Sequence, residues 1–177
     1  MEPFAAAATG QVQAETWEDY PLISPNKFLM LCVLSLGIYG LWWQYKTWRF
    51  FKRWQQTDTW PVVRAFFSLF TFSDLLKTIN QFARSTSGYT PIANTGGLVA
   101  GYVILSLLAR LPEPFWLVSL GASGFLEPAF REFRGAMLQA PAYGGRDQEH
   151  FSARQLIALS LGLVCWSLVF VGMMQPD

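Results

Sequence analysis

Few side chains in this sequence are of types that do chemistry, and they are thinly spread. His150 is the single histidine. A general base needs a positioned partner, such as a nucleophile within hydrogen-bond reach. His150 stands between Glu149 and Phe151 in a polar loop, with Arg154 one turn on, and reads as an ordinary exposed side chain. There is no phosphate-binding glycine loop, nucleophile elbow, zinc-ligand spacing or carboxylate pair inside an apolar run. Cys32 and Cys165 both fall in apolar runs, where a thiol acts as a small hydrophobe. No catalytic, cofactor-binding or metal-binding residue is assigned, no cofactor is expected, and an enzyme is the least favoured class.

Three other groups of residues carry weight. Arg64, Asp74 and Lys77 interrupt the apolar stretch Trp60–Phe82. Ionisable groups at membrane depth mark a pathway or a paired site, whereas at the interface they reach water cheaply. Asp74 and Lys77 are spaced to pair on one helix face. Lys46, Arg49, Lys52 and Arg53 alternate with Trp48, Phe50, Phe51 and Trp54, a pattern suited to anionic lipid or a docking partner. Gly97 and Gly101 have the spacing that lets helix backbones approach closely. Gly121, Gly124, Gly37 and Gly40 add further small residues.

The elements that must position these residues follow from the charge-free runs. Apolar residues make up 52% of the 177 and charged residues 14%, where about 25% charged is usual for a soluble domain. Aromatics reach 16%, with eight Trp, a residue favoured at membrane boundaries. A net charge of +1 gives no reason to expect nucleic acid as a partner. About 20 apolar residues cross a bilayer core as a helix. Phe28–Tyr45 has eighteen without a charge, flanked by Lys27 and Lys46. The run after Arg84 opens as a Gly/Pro/Asn loop and continues as an apolar segment to Arg110. Leu111–Pro114 breaks it before a second short apolar run. Gln155–Pro176 is free of charge, with Ser152 and Gln155 placed as a capping box. Glu127 and Arg131 are spaced as an i,i+4 pair on an amphipathic helix reaching Met137.

The expected fold is therefore an all-α integral membrane protein. It has an acidic N-terminal tail (1–26) without signal-peptide character, then a membrane domain (27–176). Four spans are expected, at about 28–45, 93–111, 114–130 and 154–175. An interfacial or re-entrant amphipathic helix is expected at 61–83 and a cytoplasmic loop at 131–153. With 61–83 not crossing, eleven of the thirteen Lys and Arg fall inside, leaving Lys27 and Arg110 outside. With it crossing, the split is six against seven, so the positive-inside rule selects the first arrangement, with both termini outside.

Ser24–Phe28 (SPNKF), Leu36–Tyr39 (LGIY), Trp43–Trp48, Arg64–Phe67 and Leu111–Trp116 (LPEPFW) resemble a group of uncharacterised bacterial inner-membrane proteins over most of residues 22–174. That resemblance implies a bacterial inner-membrane location and no particular chemistry. The functional expectation is a non-enzymatic membrane protein that contacts inner-leaflet lipid and binds a membrane partner or another copy of itself. The alternative is a small transporter or channel subunit using the charged 61–83 segment.

Overall fold

A computed structural model describes residues 20–58, 60–87, 94–148 and 150–174. It is mostly helical, as the composition led us to expect. The helices are α1 (Pro25–Leu34), α2 (Ile38–Trp54), α3 (Pro61–Phe66), α4 (Ser68–Ser87), α5 (Thr95–Leu107), α6 (Ala122–Gln139) and α7 (Ala153–Met174). Two short strands, β1 (Tyr20–Leu22) and β2 (Gly145–Asp147), pair in parallel with Tyr20 opposite Gly145. Of the expected N-terminal tail, residues 1–19 lie outside the described residues. Tyr20, Leu22 and Ile23 are buried in the core.

The four expected spans are not matched by four long helices. Among the described residues, only Gln155–Met174 in α7 is long and apolar enough to cross a membrane. The run Phe28–Tyr45 is cut in two. Ser24 caps α1, its hydroxyl accepting from the Lys27 N–H at 3.4 Å, and Pro25 fits the first turn. Ten residues later the helix stops. The Gly37 N–H donates back to the Cys32 carbonyl at 2.7 Å, and Leu36 and Gly37 take positive φ angles of 51° and 86°. Glycine enters that region without steric cost, so Gly37 is where the chain can turn. It then folds back: the Phe28 ring lies 6.0 Å from Tyr39 and 5.4 Å from Trp43, so α1 and α2 are antiparallel legs of a hairpin.

The second and third expected spans do form a hairpin, but its legs are short. The thirteen-residue α5 ends in a 3-10 turn, Leu108–Arg110. After Leu111–Pro114 the return leg begins as a 3-10 helix, Phe115–Gly121, and only then becomes α6. The amphipathic helix expected to reach Met137 is thus continuous with the return leg. Its Phe130, Phe133 and Met137 are buried.

The segment 61–83 is helical, with a corner at Phe67 between α3 and α4. On α4, Phe72, Leu75, Leu76, Ile79, Phe82 and Ala83 are fully buried, a stripe with helical period. It packs chiefly on α6. The basic, aromatic segment 46–56 was expected to lie on lipid. Instead Trp48, Phe50 and Phe51 point inward. Phe50 meets Phe82 at 5.2 Å and Phe133 at 5.4 Å, and Tyr20 packs on Phe133 at 5.4 Å. Edge-to-face contacts of this kind stabilise by about 0.5–1.5 kcal/mol each beyond area burial.

Candidate functional site

These contacts give the molecule two ends. At one, the aromatic core meets the β1–β2 pair. The surface there carries Arg49, Arg53, Lys77, Arg84, Arg131 and Arg146, all exposed. At the other, the α1–α2 turn lies beside the end of α5 and the start of the return leg. Leu34, Ile38, Leu41, Phe66, Phe67, Phe70, Ile104, Leu107, Leu111, Phe115 and Val118 are all exposed there, Phe66 and Phe70 by four-fifths.

Helix α7 ties the two ends together. Gln155 Nε2 donates to Tyr39 Oη at 3.3 Å. Its Oε1 accepts from the Ser152 N–H at 2.8 Å, one half of the expected capping box. Further along, Gly162 lies against α1 so closely that a Cβ would sit 2.1 Å from the Leu34 carbonyl oxygen. Trp166 Nε1 donates to the Val33 carbonyl at 3.4 Å. The α1–α2 turn therefore reaches halfway along Gln155–Met174. Beyond Trp166 the side chains of α7 are exposed, apart from the partly buried Val169.

Inside the apolar end is a polar cluster that the sequence did not flag. Gln44 of α2 is fully buried, and its Nε2 donates to Tyr102 Oη of α5 at 3.3 Å. Tyr102 Oη donates in turn to Ser68 Oγ, at the first residue of α4, at 3.1 Å. No donor among the described residues reaches Gln44 Oε1. Next to this chain is a cavity of about 290 Å³. Gln44, Tyr102, Ser106, Ser119 and Ser123 contribute polar groups to its wall, and Leu36, Leu41 and Leu126 apolar ones. The available signal was the lone carboxamide in the run Phe28–Tyr45, and the i,i+4 spacing of Tyr102 with Ser106 and of Ser119 with Ser123.

The residues singled out from sequence fall elsewhere. Asp74 and Lys77 do pair, at 3.3 Å, but on the outer face of α4 with side chains 62% and 72% exposed. Arg64 does not join them; its guanidinium lies 4.4 Å from the Trp48 ring centroid. Such a contact is worth about 0.5–2 kcal/mol. Lys46 sits over Tyr20 at 4.1 Å and Trp42 at 5.0 Å, and Lys52 is 3.7 Å from Asp58. Arg49 and Arg53 lie on the exposed side of α2.

Gly101 is used within the chain, since a Cβ there would stand 2.1 Å from Phe125. A Cβ on Gly97 would meet its own cap residue Asn94 at 2.6 Å, and one on Gly121 would meet Leu105 at 3.2 Å. Gly124 faces open space. Glu127 and Arg131 are paired as their spacing predicted. His150 is exposed. Cys32 is buried, Cys165 is partly buried, and both are free thiols. Glu132, which no motif marked, is buried on α6.

At the charged end, burial pushes the Tyr20 phenol well above its ordinary range, and a hydrogen bond with Thr47 offsets part of that rise. No protein family matches the chain, and no curated protein or solved structure is similar to it.

Proposed function

We propose that this chain is an integral membrane protein without catalytic chemistry. In this reading α7 crosses the bilayer, while the α1–α2 and α5–α6 hairpins and the α3–α4 corner enter from one side and stop near its midplane. The observation that carries the reading is the position of the α1–α2 turn, level with Gly162 and Trp166, halfway along α7. A 20-residue helix is about 30 Å long, the thickness of the hydrocarbon core, so half of it matches one leaflet.

The exposed side chains support that depth. Most of those near the α1–α2 turn and along α7 are apolar, with Arg110 and Glu113 exposed at the tip of the α5–α6 hairpin, and only 6% of the α7 window is buried, unlike the core helix of a soluble protein. With no water in the hydrocarbon region, such a surface is at its lowest free energy against acyl chains. One crossing helix and three shallow insertions replace four spans in this proposal. They also bring Lys27 to the charged side, since its Nζ lies 5.4 Å from the Phe151 ring just before α7. Arg110 is then the outlying cation at the apolar end. The positive-inside rule makes the charged end cytoplasmic, on the inner membrane that the family resemblance implies.

The working role that fits is assembly in the bilayer, with the bare flank of α7 (Ile157, Val164, Leu168 and Val171) as the contact for a partner helix or a second copy. A transport path through Arg64, Asp74 and Lys77 gains no support, because Arg64 lies on Trp48 while Asp74 and Lys77 pair on the exposed face of α4.

Single cysteines in a Cys32→Ala, Cys165→Ala background test the arrangement. A membrane-impermeant maleimide should label Lys77→Cys and Arg146→Cys from the cytoplasmic side and Met174→Cys from the other. Leu111→Cys should resist both. Labelling of Lys77→Cys and Met174→Cys from the same side would refute the crossing. Recovery of the chain as a stable monomer without detergent would refute membrane residence altogether.

A further inference from the structure

We infer that the cavity beside Gln44 is a binding site for a neutral, hydroxyl-bearing amphiphile drawn from the bilayer, with its head on the Gln44–Tyr102 chain and its alkyl tail leaving past Leu41. The inference rests on the membrane reading above, since the cavity lies at the end placed among acyl chains. Three observations select this ligand class.

The first is an acceptor with nothing to accept. Gln44 is wholly buried, its Nε2 is engaged with Tyr102, and its Oε1 has no donor among the described residues. A buried polar atom away from water is costly unless a partner is supplied. The Tyr102 phenol is already committed to Ser68, so it does not serve Oε1, and a ligand hydroxyl can supply the missing donor. With the amide turned over, Tyr102 would serve Oε1 and a buried N–H would be left instead. A hydroxyl, which both donates and accepts, satisfies either arrangement.

The second is charge. No carboxylate, amine, guanidinium or imidazole among the described residues lines the cavity; its polar groups are amide, phenol and serine hydroxyls. A carboxylate, phosphate or ammonium head would be desolvated there without a counter-charge, which excludes charged lipids. The third is size and access. At about 290 Å³ the cavity is at the lower edge of ligand-binding sites, enough for a small head and the first part of a chain. Leu41 is 44% exposed at its margin, so the outlet is apolar.

The test uses the full chain in phosphatidylcholine nanodiscs with a hexadecanol carrying a diazirine near its hydroxyl. After photolysis, adducts are mapped by mass spectrometry. Adducts are expected on peptides containing residues 36–44, 102–109 and 119–126. Excess 1-hexadecanol should remove them, while hexadecane and hexadecanoate should not. Gln44→Leu should weaken the competed labelling about ten-fold, the scale of one hydrogen bond to a buried acceptor. Ser106→Trp, which fills the cavity from its α5 wall, should abolish it.

Cavity labelling that hexadecane competes equally well, or that both variants leave unchanged, would overturn the proposal. So would an absence of cavity adducts, which would mean that the space holds water alone. Adducts on α7 in the same reaction separate the two readings. Their presence without cavity adducts removes this inference only, whereas their absence removes the membrane reading beneath it.

Discussion

Phe28 and Trp43 lie with ring centroids 5.4 Å apart, although fifteen positions separate them in the chain. In one continuous helix they would stand about 22 Å apart. That contact turns the most convincing span of the sequence into two half-length legs. The depth to which the protein enters the bilayer in our proposal follows from it.

The turn itself is the first point to test. Gly37 has a φ of 86° and no atom within 4 Å of where a Cβ would be, so a side chain there suffers backbone strain and no collision. Gly37→Val should destabilise the protein by about 1–2 kcal/mol. Leu36, at φ 51°, already bears that strain, so Leu36→Gly should be neutral or stabilising. Thermal midpoints in detergent check both; an unchanged midpoint for Gly37→Val would show that the turn is not made there.

Gly101 and Gly124 make a contrasting pair. A Cβ on Gly101 meets the Phe125 ring, so Gly101→Ala should cost about 1–3 kcal/mol by overpacking. Gly124 has open space, and Gly124→Ala should be neutral or gain up to about 1 kcal/mol from helix propensity. If Gly101→Ala instead left stability alone and shifted the oligomeric state, the glycine pair would be a contact between chains.

Gly162 holds α7 to α1 by backbone proximity. Gly162→Val should prise the helices apart and break the bond from Trp166 to the Val33 carbonyl. A blue-shifted Trp emission, from an indole released from its hydrogen bond into acyl chains, and faster proteolysis between α6 and α7 are the expected readouts. An unaltered spectrum and cleavage rate would mean that α7 is held by other contacts.

Tyr20 predicts a pH dependence. An unfolded phenol titrates near 10.0, and burial holds the folded one well above that. Below pH 10 both states keep the proton and the stability contribution is complete. As pH rises past that value, the unfolded state sheds a proton that the folded state retains. Stability then falls by up to about 1.4 kcal/mol per pH unit from this group. Tyr20→Phe should therefore lose less stability than the parent between about pH 9 and 11, measured by denaturant titration. Parallel losses in the two proteins would show that Tyr20 does not titrate with unfolding.

What was legible in the sequence is what neighbours along the chain decide between themselves. The charge-free run Gln155–Pro176 contains a helix long enough to cross. Ser152 with Gln155, Glu127 with Arg131, and Asp74 with Lys77 meet because a helix brings residues three or four apart onto one face. The apolar stripe on α4 is visible as a period, but not what covers it. Hydropathy measures how many residues avoid water, not which way the chain is heading. Phe28–Tyr45 therefore passed as one span, while the pair Leu36–Gly37 reversed it.

The same limit hid the candidate site. Gln44 and Tyr102 are 58 residues apart, and Tyr102 and Ser68 are 34 apart. Each is an unremarkable polar residue in its own segment, and only the packing of α2, α4 and α5 brings them together. Composition and charge-free length by themselves determined that the chain is helical and that Gln155–Met174 is long and apolar enough to cross a membrane, because those properties sum over local residues. Tertiary structure alone decided which apolar surfaces face protein, how far the hairpins reach and where a buried amide lacks a donor, because those depend on contacts between segments that no local pattern encodes.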